Sequence, residues 1–331
     1  VIVANDYGLG GPKNRAATSG TFTKSATVGS LKFHWDGQKA FTNHCPITYQ
    51  SDSSYTGTKA MYLGSLAADE YFVQDANFIF YNPAAANRYL RFRNNTEFIS
   101  GRFQVRYTGN PFWSSTDTDA VVRFSGTAKI CIGFDTSSDK RVMTWLAHGN
   151  PATYIFGHTG GTRMDSFSTN VGRFVLEGDG LFADYLATGE PWGVKTWTPY
   201  TVDNSNYKSC YDLNGHDVVF HCISTANNTV TETSSGYYYV TSSIPATISL
   251  VGDANGADIA NVAALELRDK ASLTIDNNAT NHFATRVSSP DGTLTVKSGA
   301  LVYQWKGGWD GTAVVIEGGL VDAVSERSFS G

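Results

Sequence analysis

The feature that most constrains the fold of this chain is a short motif that recurs along it: a small residue followed by apolar side chains two and four positions later. In its clearest copy, Gly292 is followed by Leu294 and Val296. Apolar residues with a period of two lie on one face of a β-strand. The motif therefore predicts an all-β repeat protein. Further copies begin at Gly29, Ala76, Gly101, Gly126, Gly172, Ala271, Gly299 and Gly319, with a weaker copy at Gly215.

The spacing of the motif indicates the kind of repeat. Ala76, Gly101 and Gly126 lie 25 residues apart, and Ala271 and Gly292 lie 21 apart. A unit of roughly 19 to 25 residues with two or three short strands has the length of one coil of a parallel β-helix, whereas a propeller blade needs about 40 to 50 residues. Stacked coils bury their inward faces against one another. We therefore expect one elongated β-solenoid with inserted loops.

The recurrence also predicts how the chain is organised. We expect an N-terminal strand or cap segment at 1–28, the β-solenoid at 29–325, and a C-terminal tail at 326–331. The segment 187–200, rich in Gly, Pro and Trp, is interpreted as a loop insertion, with a domain boundary as the alternative.

Composition excludes several classes of protein. The chain is 41% apolar and 17% charged, with a net charge of −5. Its Lys and Arg residues are scattered singly along the sequence, which argues against nucleic-acid binding because phosphate contacts need a clustered basic face. No apolar run approaches the roughly 18 residues of a membrane span. The lack of an initiating Met and of a signal peptide predicts a processed secreted protein or an excised fragment.

Two stretches resemble a known family. The segment Asp212-Leu213-Asn214-Gly215-His216 and the paired units at Gly292 and Gly299 are similar to those of secreted right-handed parallel β-helix proteins, including autotransporter passenger domains and bacterial surface repeat proteins. The resemblance is strongest over residues 205–325. It implies an all-β, right-handed parallel β-helix at the cell surface or outside the cell. That family also contains polysaccharide lyases, hydrolases and phage tailspikes, so it implies a location more than an activity.

The candidate catalytic residues are the carboxylates Glu177, Asp179 and Asp184, because enzymes on this scaffold use paired carboxylates on a polysaccharide. With strand periodicity Glu177 and Asp179 can share a face; solvated corner charges are the alternative. The stretch from Gly157 to Gly160 partly resembles the Gly-His-Gly of pectin-hydrolysing members, but no Asp-Asp pair is present. We expect His158 to be a turn or surface histidine and the chain to lack catalytic activity.

A cofactor is not expected, apart from a possible Ca²⁺ loop formed by Asp253, Asn255 and Asp258. Oxygen ligands at alternate positions around a Gly turn can converge on one hard cation. The bidentate acid that would complete an EF-hand loop is missing, because Ala264 occupies its position.

Two cysteines, Cys210 and Cys222, flank a proposed corner and are candidates for a disulfide. Burial of each as a small hydrophobic side chain is the alternative.

Aromatic side chains beside loops suggest sugar binding. Trp305, Trp309 and Tyr237 can act as platforms that stack on sugar rings. Stacking of aromatic side chains inside the coil is the alternative, and we favour it for Phe.

The leading hypothesis is a non-enzymatic extracellular structural or adhesive protein, or the subunit of a self-assembled fibre. The apolar residues Val1, Ile2 and Val3 can pair with the edge of a neighbouring copy, which suggests head-to-tail association. The alternatives are a polysaccharide-degrading enzyme and a carbohydrate-binding module without cleavage. The expected partners are further copies of the chain, surface glycans, or both.

Overall fold

The fold is all-β, as predicted, and its sheets are parallel; the described residues include no helix. The chain divides into two compact units. Unit 1 comprises Val1–Asp165 and Glu177–Gly193, and unit 2 comprises Ser166–Leu176 and Val194–Gly331. The computed structural model describes residues 20–23, 30–33, 40–50, 59–65, 68–82, 88–107, 112–116, 119–133, 144–147, 152–164, 166–169, 172–181, 196–197, 209–223, 238–253, 255–256, 261–262, 265–283, 286–288, 291–303 and 313–323.

Unit 1 contains sixteen described strands, and each pairs in parallel with a strand three places before or after it in the chain. The strands are β1 (Gly20–Thr23), β2 (Ser30–Phe33), β3 (Ala40–Asn43), β4 (Ile47–Gln50), β5 (Lys59–Ser65), β6 (Tyr71–Asp75), β7 (Phe78–Asn82), β8 (Arg88–Arg93), β9 (Asn95–Ser100), β10 (Arg102–Tyr107), β11 (Phe112–Thr116), β12 (Ala120–Phe124), β13 (Lys129–Ile132), β14 (Thr144–Ala147), β15 (Ala152–Phe156) and β16 (Thr162–Arg163).

These strands form three sheets in unit 1. The first sheet has the order β1-β4-β7-β10-β13-β16, the second contains β2-β5-β8-β11-β14, and the third contains β3-β6-β9-β12-β15. We call three consecutive strands, one from each sheet, a rung. The register joins Phe78 to Phe103, which are 25 residues apart, and Phe103 to Ile130, which are 27 apart, and all three are apolar positions of motif copies. The predicted repeat length therefore corresponds to one rung.

The three sheets of unit 1 enclose one core. Phe92 comes from the second sheet, Phe98 from the third and Phe103 from the first, and their ring centroids lie 4.8 to 6.4 Å apart. Phe124 in the next rung stacks on Phe98 at 5.0 Å. Each rung thus buries its inward rings against its own sheets and against the neighbouring rung, as the preference for internal Phe stacking predicted.

Sharp corners between strands depend on residues that accept a positive φ angle. Gly101 and Gly126 have φ values of 68° and 54°, and a Cβ at Gly101 would lie 2.5 Å from the carbonyl carbon of Ala76. Asn94 adopts a φ of 49° at another corner of the same rung. Glycine and asparagine therefore end strands in the way the sequence predicts.

Unit 2 contains parallel sheets as well. One sheet contains β18-β20-β23-β26-β28, another has the order β21-β24-β27-β29-β30, β19 pairs with β22, β25 pairs with β27, and β31 pairs with β29. The strands are β17 (Ser166–Thr169), β18 (Gly172–Leu176), β19 (Thr196–Trp197), β20 (Ser209–Asp212), β21 (Val218–Phe220), β22 (Cys222–Ile223), β23 (Tyr238–Thr241), β24 (Ala246–Leu250), β25 (Asn261–Val262), β26 (Leu265–Arg268), β27 (Ala271–Phe283), β28 (Arg286–Ser288), β29 (Thr293–Tyr303), β30 (Ala313–Ile316) and β31 (Leu320–Ala323).

The core of unit 2 is built from aliphatic rows and two buried amides. Leu250, Ile275 and Val296 follow one another in register on β24, β27 and β29, and none is exposed. Asn277 and Asn281 lie beside an irregularity in β27 and exchange two side-chain hydrogen bonds of 3.2 and 3.0 Å. Each side-chain amide gives the other a hydrogen-bond donor and an acceptor, which offsets most of the desolvation free energy of burying them.

Candidate functional site

The predicted carboxylate Glu177 lies at a corner just after β18. Its backbone N–H donates to the carbonyl of Phe156 at 2.9 Å. A Cβ on the next residue, Gly178, would lie 3.3 Å from the carbonyl oxygen of Gly157. The corner 177–180 therefore stacks directly on the corner 157–160, and the structure brings together two stretches that the sequence marked separately.

The side chain of Glu177 forms an ion pair. Its Oε2 accepts a hydrogen bond from Nη1 of Arg123 at 2.5 Å, and each side chain is about one-third exposed. Arg123 reaches this position from β12. One of the two carboxylate oxygens of Glu177 is therefore engaged by a guanidinium.

Of the other two predicted carboxylates, the structure describes one. Asp179 is exposed two residues after Glu177, and Asp184 lies outside the described residues. Strand β18 ends at Leu176, so the alternation of a strand does not govern the directions of Glu177 and Asp179. Their shared location is a property of the corner.

His158 lies in the corner 157–160, which agrees with a turn histidine, but its side chain is in the core, so the surface alternative is wrong. It has no exposed area and packs beside the rings of Phe124 and Phe156, with centroids 6.1 and 6.2 Å away. Its Nε2 lies 2.9 Å from Oγ1 of Thr162, whose hydroxyl donates to the carbonyl of Gly180 at 2.9 Å. Because that hydroxyl has one proton, Nε2 must be the donor to Thr162.

This tautomer leaves Nδ1 of His158 as a buried acceptor without a hydrogen-bond partner. Burial lowers the pKa of His158 to about 4, because a charged imidazolium would lose its hydration. The glutamate at the surface and the histidine in the core thus do not form an acid–base pair.

A second cluster of polar side chains, which no sequence motif marks, contains one residue from each of three successive rungs of the third sheet. His44 Nδ1 lies 2.8 Å from Oδ2 of Asp75, and Ser100 Oγ donates to Oδ1 of the same carboxylate at 2.6 Å. A catalytic triad needs the histidine between the serine and the acid. Here the aspartate is in the middle, so Ser100 hydrogen-bonds to a carboxylate and not to the imidazole that a triad requires. The signal for this group is the recurrence of polar residues at equivalent corners of successive rungs.

The predicted calcium loop is a hydrogen-bonded turn in the structure. Oδ1 of Asp253 accepts from the backbone N–H of Asn255 at 2.7 Å, and its carbonyl accepts from Gly256 at 2.9 Å. Asp258 lies outside the described residues. Within the part of the chain that is described, no group of three or more His, Cys, Asp or Glu residues could hold a metal ion.

The candidate disulfide is not formed in this structure. Cys210 on β20 and Cys222 on β22 are both thiols, as are Cys45 and Cys131. Cys210 is buried, which raises the pKa of its thiol and suits the alternative interpretation of a small core side chain. Cys222 is partly exposed.

Several predicted sites lie outside the described residues. These are the aromatic candidates Trp305, Trp309 and Tyr237 and the assembly candidates Val1, Ile2 and Val3.

The last paired strands of unit 2 expose apolar side chains. Ile316 on β30 follows Val296 in register, yet it is 55% exposed, whereas Val296 is fully buried. Leu320 on β31 is 63% exposed. Among the described residues, β30 and β31 pair only with β29. The core row formed by Leu250, Ile275 and Val296 thus continues to Ile316 on β30, which no further described strand covers.

The described part of the chain contains no apolar helix of membrane-spanning length. The chain matches no known family model, no curated protein and no solved structure.

Proposed function

We propose that this chain is a non-enzymatic, extracellular structural or adhesive β-solenoid that associates end to end. The proposal includes a right-handed parallel β-helix as the detailed fold. It rests on the pairing of every third strand in unit 1, since three strands per rung around one core are the elements of such a helix. The extracellular location rests on the family resemblance alone.

The observation that carries the assembly proposal is the open row at Ile316. Leu250, Ile275 and Val296 are each covered by the next strand of the sheet, and Ile316 occupies the following place in that row. A strand with unpaired backbone groups and an apolar inward face is a template for another strand. We propose that a rung from a second copy covers it, because a rung of the same repeat has the required spacing and apolar face.

The absence of an activity is supported by how the candidate groups are used. Glu177 is held by Arg123, His158 is buried beside Phe124 and Phe156, and the hydroxyl of Ser100 donates to Asp75 and not to a histidine. Degradation of a polysaccharide stays an alternative, which release of reducing or unsaturated sugars from a panel of polysaccharides by the wild-type chain would support.

Negative-stain electron microscopy across a concentration series tests the assembly. At high concentration we expect the wild type to form filaments or short end-to-end oligomers. Ile316→Asp should lose them, because the aspartate charge would face the rung that covers it. Val315→Asp is the matched control: Val315 is the adjacent residue on β30 and is 39% exposed, but strand alternation points it away from the core row. Assembly that survives Ile316→Asp, or particles that stay single at every concentration, would overturn the proposal.

A further inference from the structure

The sequence contains two Asn-Gly pairs, Asn214-Gly215 and Asn255-Gly256. An asparagine followed by glycine can close a cyclic imide, because glycine has no Cβ to keep its backbone nitrogen away from the side-chain carbonyl carbon of the asparagine. Both pairs lie at corners between strands of unit 2. The two corners hold the reacting groups in different ways.

The pair at Asn214 is held by hydrogen bonds to the ends of neighbouring strands. Nδ2 of Asn214 donates to the carbonyl of Leu176 at 3.0 Å, and the N–H of Gly215 donates to Oγ of Ser242 at 3.0 Å. Ser242 is fully buried, and Asn214 is partly buried. Both the amide that would leave and the nitrogen that would attack are therefore engaged by other parts of unit 2.

The pair at Asn255 is more open. Asn255 is exposed, and within the described part of the chain its side-chain amide has no hydrogen-bond partner. Its backbone N–H donates to Oδ1 of Asp253 at 2.7 Å, and the N–H of Gly256 donates to the carbonyl of Asp253 at 2.9 Å. The bond that Gly256 must open in order to attack thus lies within its own turn, whereas that of Gly215 joins two corners.

We infer that Asn255 deamidates spontaneously and is a site of age-dependent modification of this chain. The backbone nitrogen of Gly256 loses its proton and attacks Cγ of Asn255, forming a C–N bond. The bond from Cγ to Nδ2 breaks, and the side-chain nitrogen leaves with a proton as ammonia. Water then opens the imide at either of its carbonyls, giving aspartate or isoaspartate, and nothing is oxidised or reduced. The inference goes beyond the proposed function, since it does not depend on assembly.

Isoaspartate at this position changes how the turn packs on the next corner. The carbonyl of Gly256 accepts from the backbone N–H of Asn278 at 2.6 Å, and a Cβ at Gly256 would lie 3.0 Å from Nδ2 of Asn278. In isoaspartate the former side chain becomes part of the main chain, so the turn gains one carbon atom. Two corners in such close contact cannot absorb this change without movement of the backbone. We therefore expect the modification to destabilise unit 2.

Ageing of the purified chain at physiological temperature, at neutral and at mildly alkaline pH, tests the inference. Peptide mass spectrometry after digestion at acidic pH measures the conversion of each asparagine to an acid, and an isoaspartyl methyltransferase detects the isoaspartyl product. We expect acid at position 255 to accumulate with time, and faster at the higher pH because the attacking nitrogen must lose its proton. Conversion at Asn214 should be about tenfold slower or more, since two hydrogen bonds hold that pair.

The chain unfolded in guanidinium chloride is the reference for the intrinsic reactivity of the two pairs. Both asparagines should convert there at similar rates, because both precede glycine and their folded surroundings are gone. Equal rates at Asn214 and Asn255 in the folded chain would overturn the inference. So would an Asn255 that keeps its amide in the folded chain while the unfolded chain converts.

Asn255→Gln is the matched variant for the effect on stability, because it keeps an exposed amide on a longer side chain that closes the imide ring more slowly. Thermal unfolding should show a lower midpoint for aged than for fresh wild type, and no change when Asn255→Gln is aged. An equal fall in both proteins would overturn the link between deamidation and the stacked corner. Ile316→Asp should convert at Asn255 as the wild type does, so the failure of assembly and the failure of deamidation are measured separately.

Discussion

At the scale of single residues, buried polar groups differ in how completely they are paired. Asn277 and Asn281 donate to each other, and Asn281 also donates to the carbonyl of Ala300 at 3.0 Å. His158 uses only one ring nitrogen, and Nδ1 faces the core without a partner. The amides therefore stabilise unit 2 at any moderate pH, whereas the histidine makes the stability of unit 1 depend on pH.

We expect acid to destabilise unit 1 through His158. Its pKa of about 4 in the folded chain lies below the ordinary value of 6.5. Between these two values the imidazole is protonated in the unfolded chain and neutral in the folded chain. Stability is complete above about pH 6.5 and falls as the pH drops from 6.5 towards 4. Between pH 7 and pH 5 the loss is about 2 kcal/mol. Urea unfolding at these two pH values measures it.

The control for this prediction is His158→Leu, which keeps the hydrogen bond from Thr162 to Gly180. The variant should lose less stability between pH 7 and pH 5 than the wild type does, since carboxylates titrate in both. Parallel curves for the two proteins would contradict the assignment to His158.

At the scale of strands and corners, the sequence predicts one class of strand well. The motif copies at Ala76, Gly101 and Gly126 lead into β7, β10 and β13, whose apolar residues are buried in register. The copy at Gly29 leads into β2 of the second sheet, but β9 and β12 of the third sheet have no such copy because other residues form their corners. Asn94 precedes β9 and Asp119 precedes β12, both with positive φ, so no glycine marks those starts.

The site residues show where prediction from strand periodicity stops. Glu177 was found as a carboxylate near two glycines, but its partner Arg123 lies 54 positions away along the chain. The glycines around His158 predict a turn or surface histidine, whereas the stacking of corner 177–180 on corner 157–160 encloses its side chain. Contacts between rungs depend on the register, which a single sequence does not display.

Stacking of these two corners predicts unequal effects of alanine at neighbouring glycines. A Cβ at Gly180 would lie 1.9 Å from the carbonyl oxygen of His158, and backbone must move to relieve it. We expect Gly180→Ala to cost about 3 kcal/mol. Gly178→Ala is the control, with its nearest contact at 3.3 Å, and should cost less than about 1 kcal/mol. Thermal unfolding compares them; equal midpoints would show that the corners are not stacked as described.

At the scale of the whole molecule, folding sorts charges that are dispersed in the sequence. In unit 1 the strands of the first and second sheets contain Lys and Arg but no Asp or Glu, whereas those of the third sheet contain Arg123 together with Asp75 and Glu97. Composition gives only the net charge of −5. The net charge of the chain therefore does not describe the charge of its individual sheets.

The open end of unit 2 leads to a prediction about local stability. The central strands β24 and β27 have partners on both sides, whereas the described partner of β30 is β29 alone. At low concentration the amides of β30 should exchange with deuterium faster than those of β24 and β27, because an edge strand opens more easily. If a second copy covers Ile316, raising the concentration should slow exchange in β30, and Ile316→Asp should abolish that change while Val315→Asp retains it. Hydrogen exchange followed by mass spectrometry makes the measurement, and exchange in β30 that does not depend on concentration in the wild type would argue against docking at this strand.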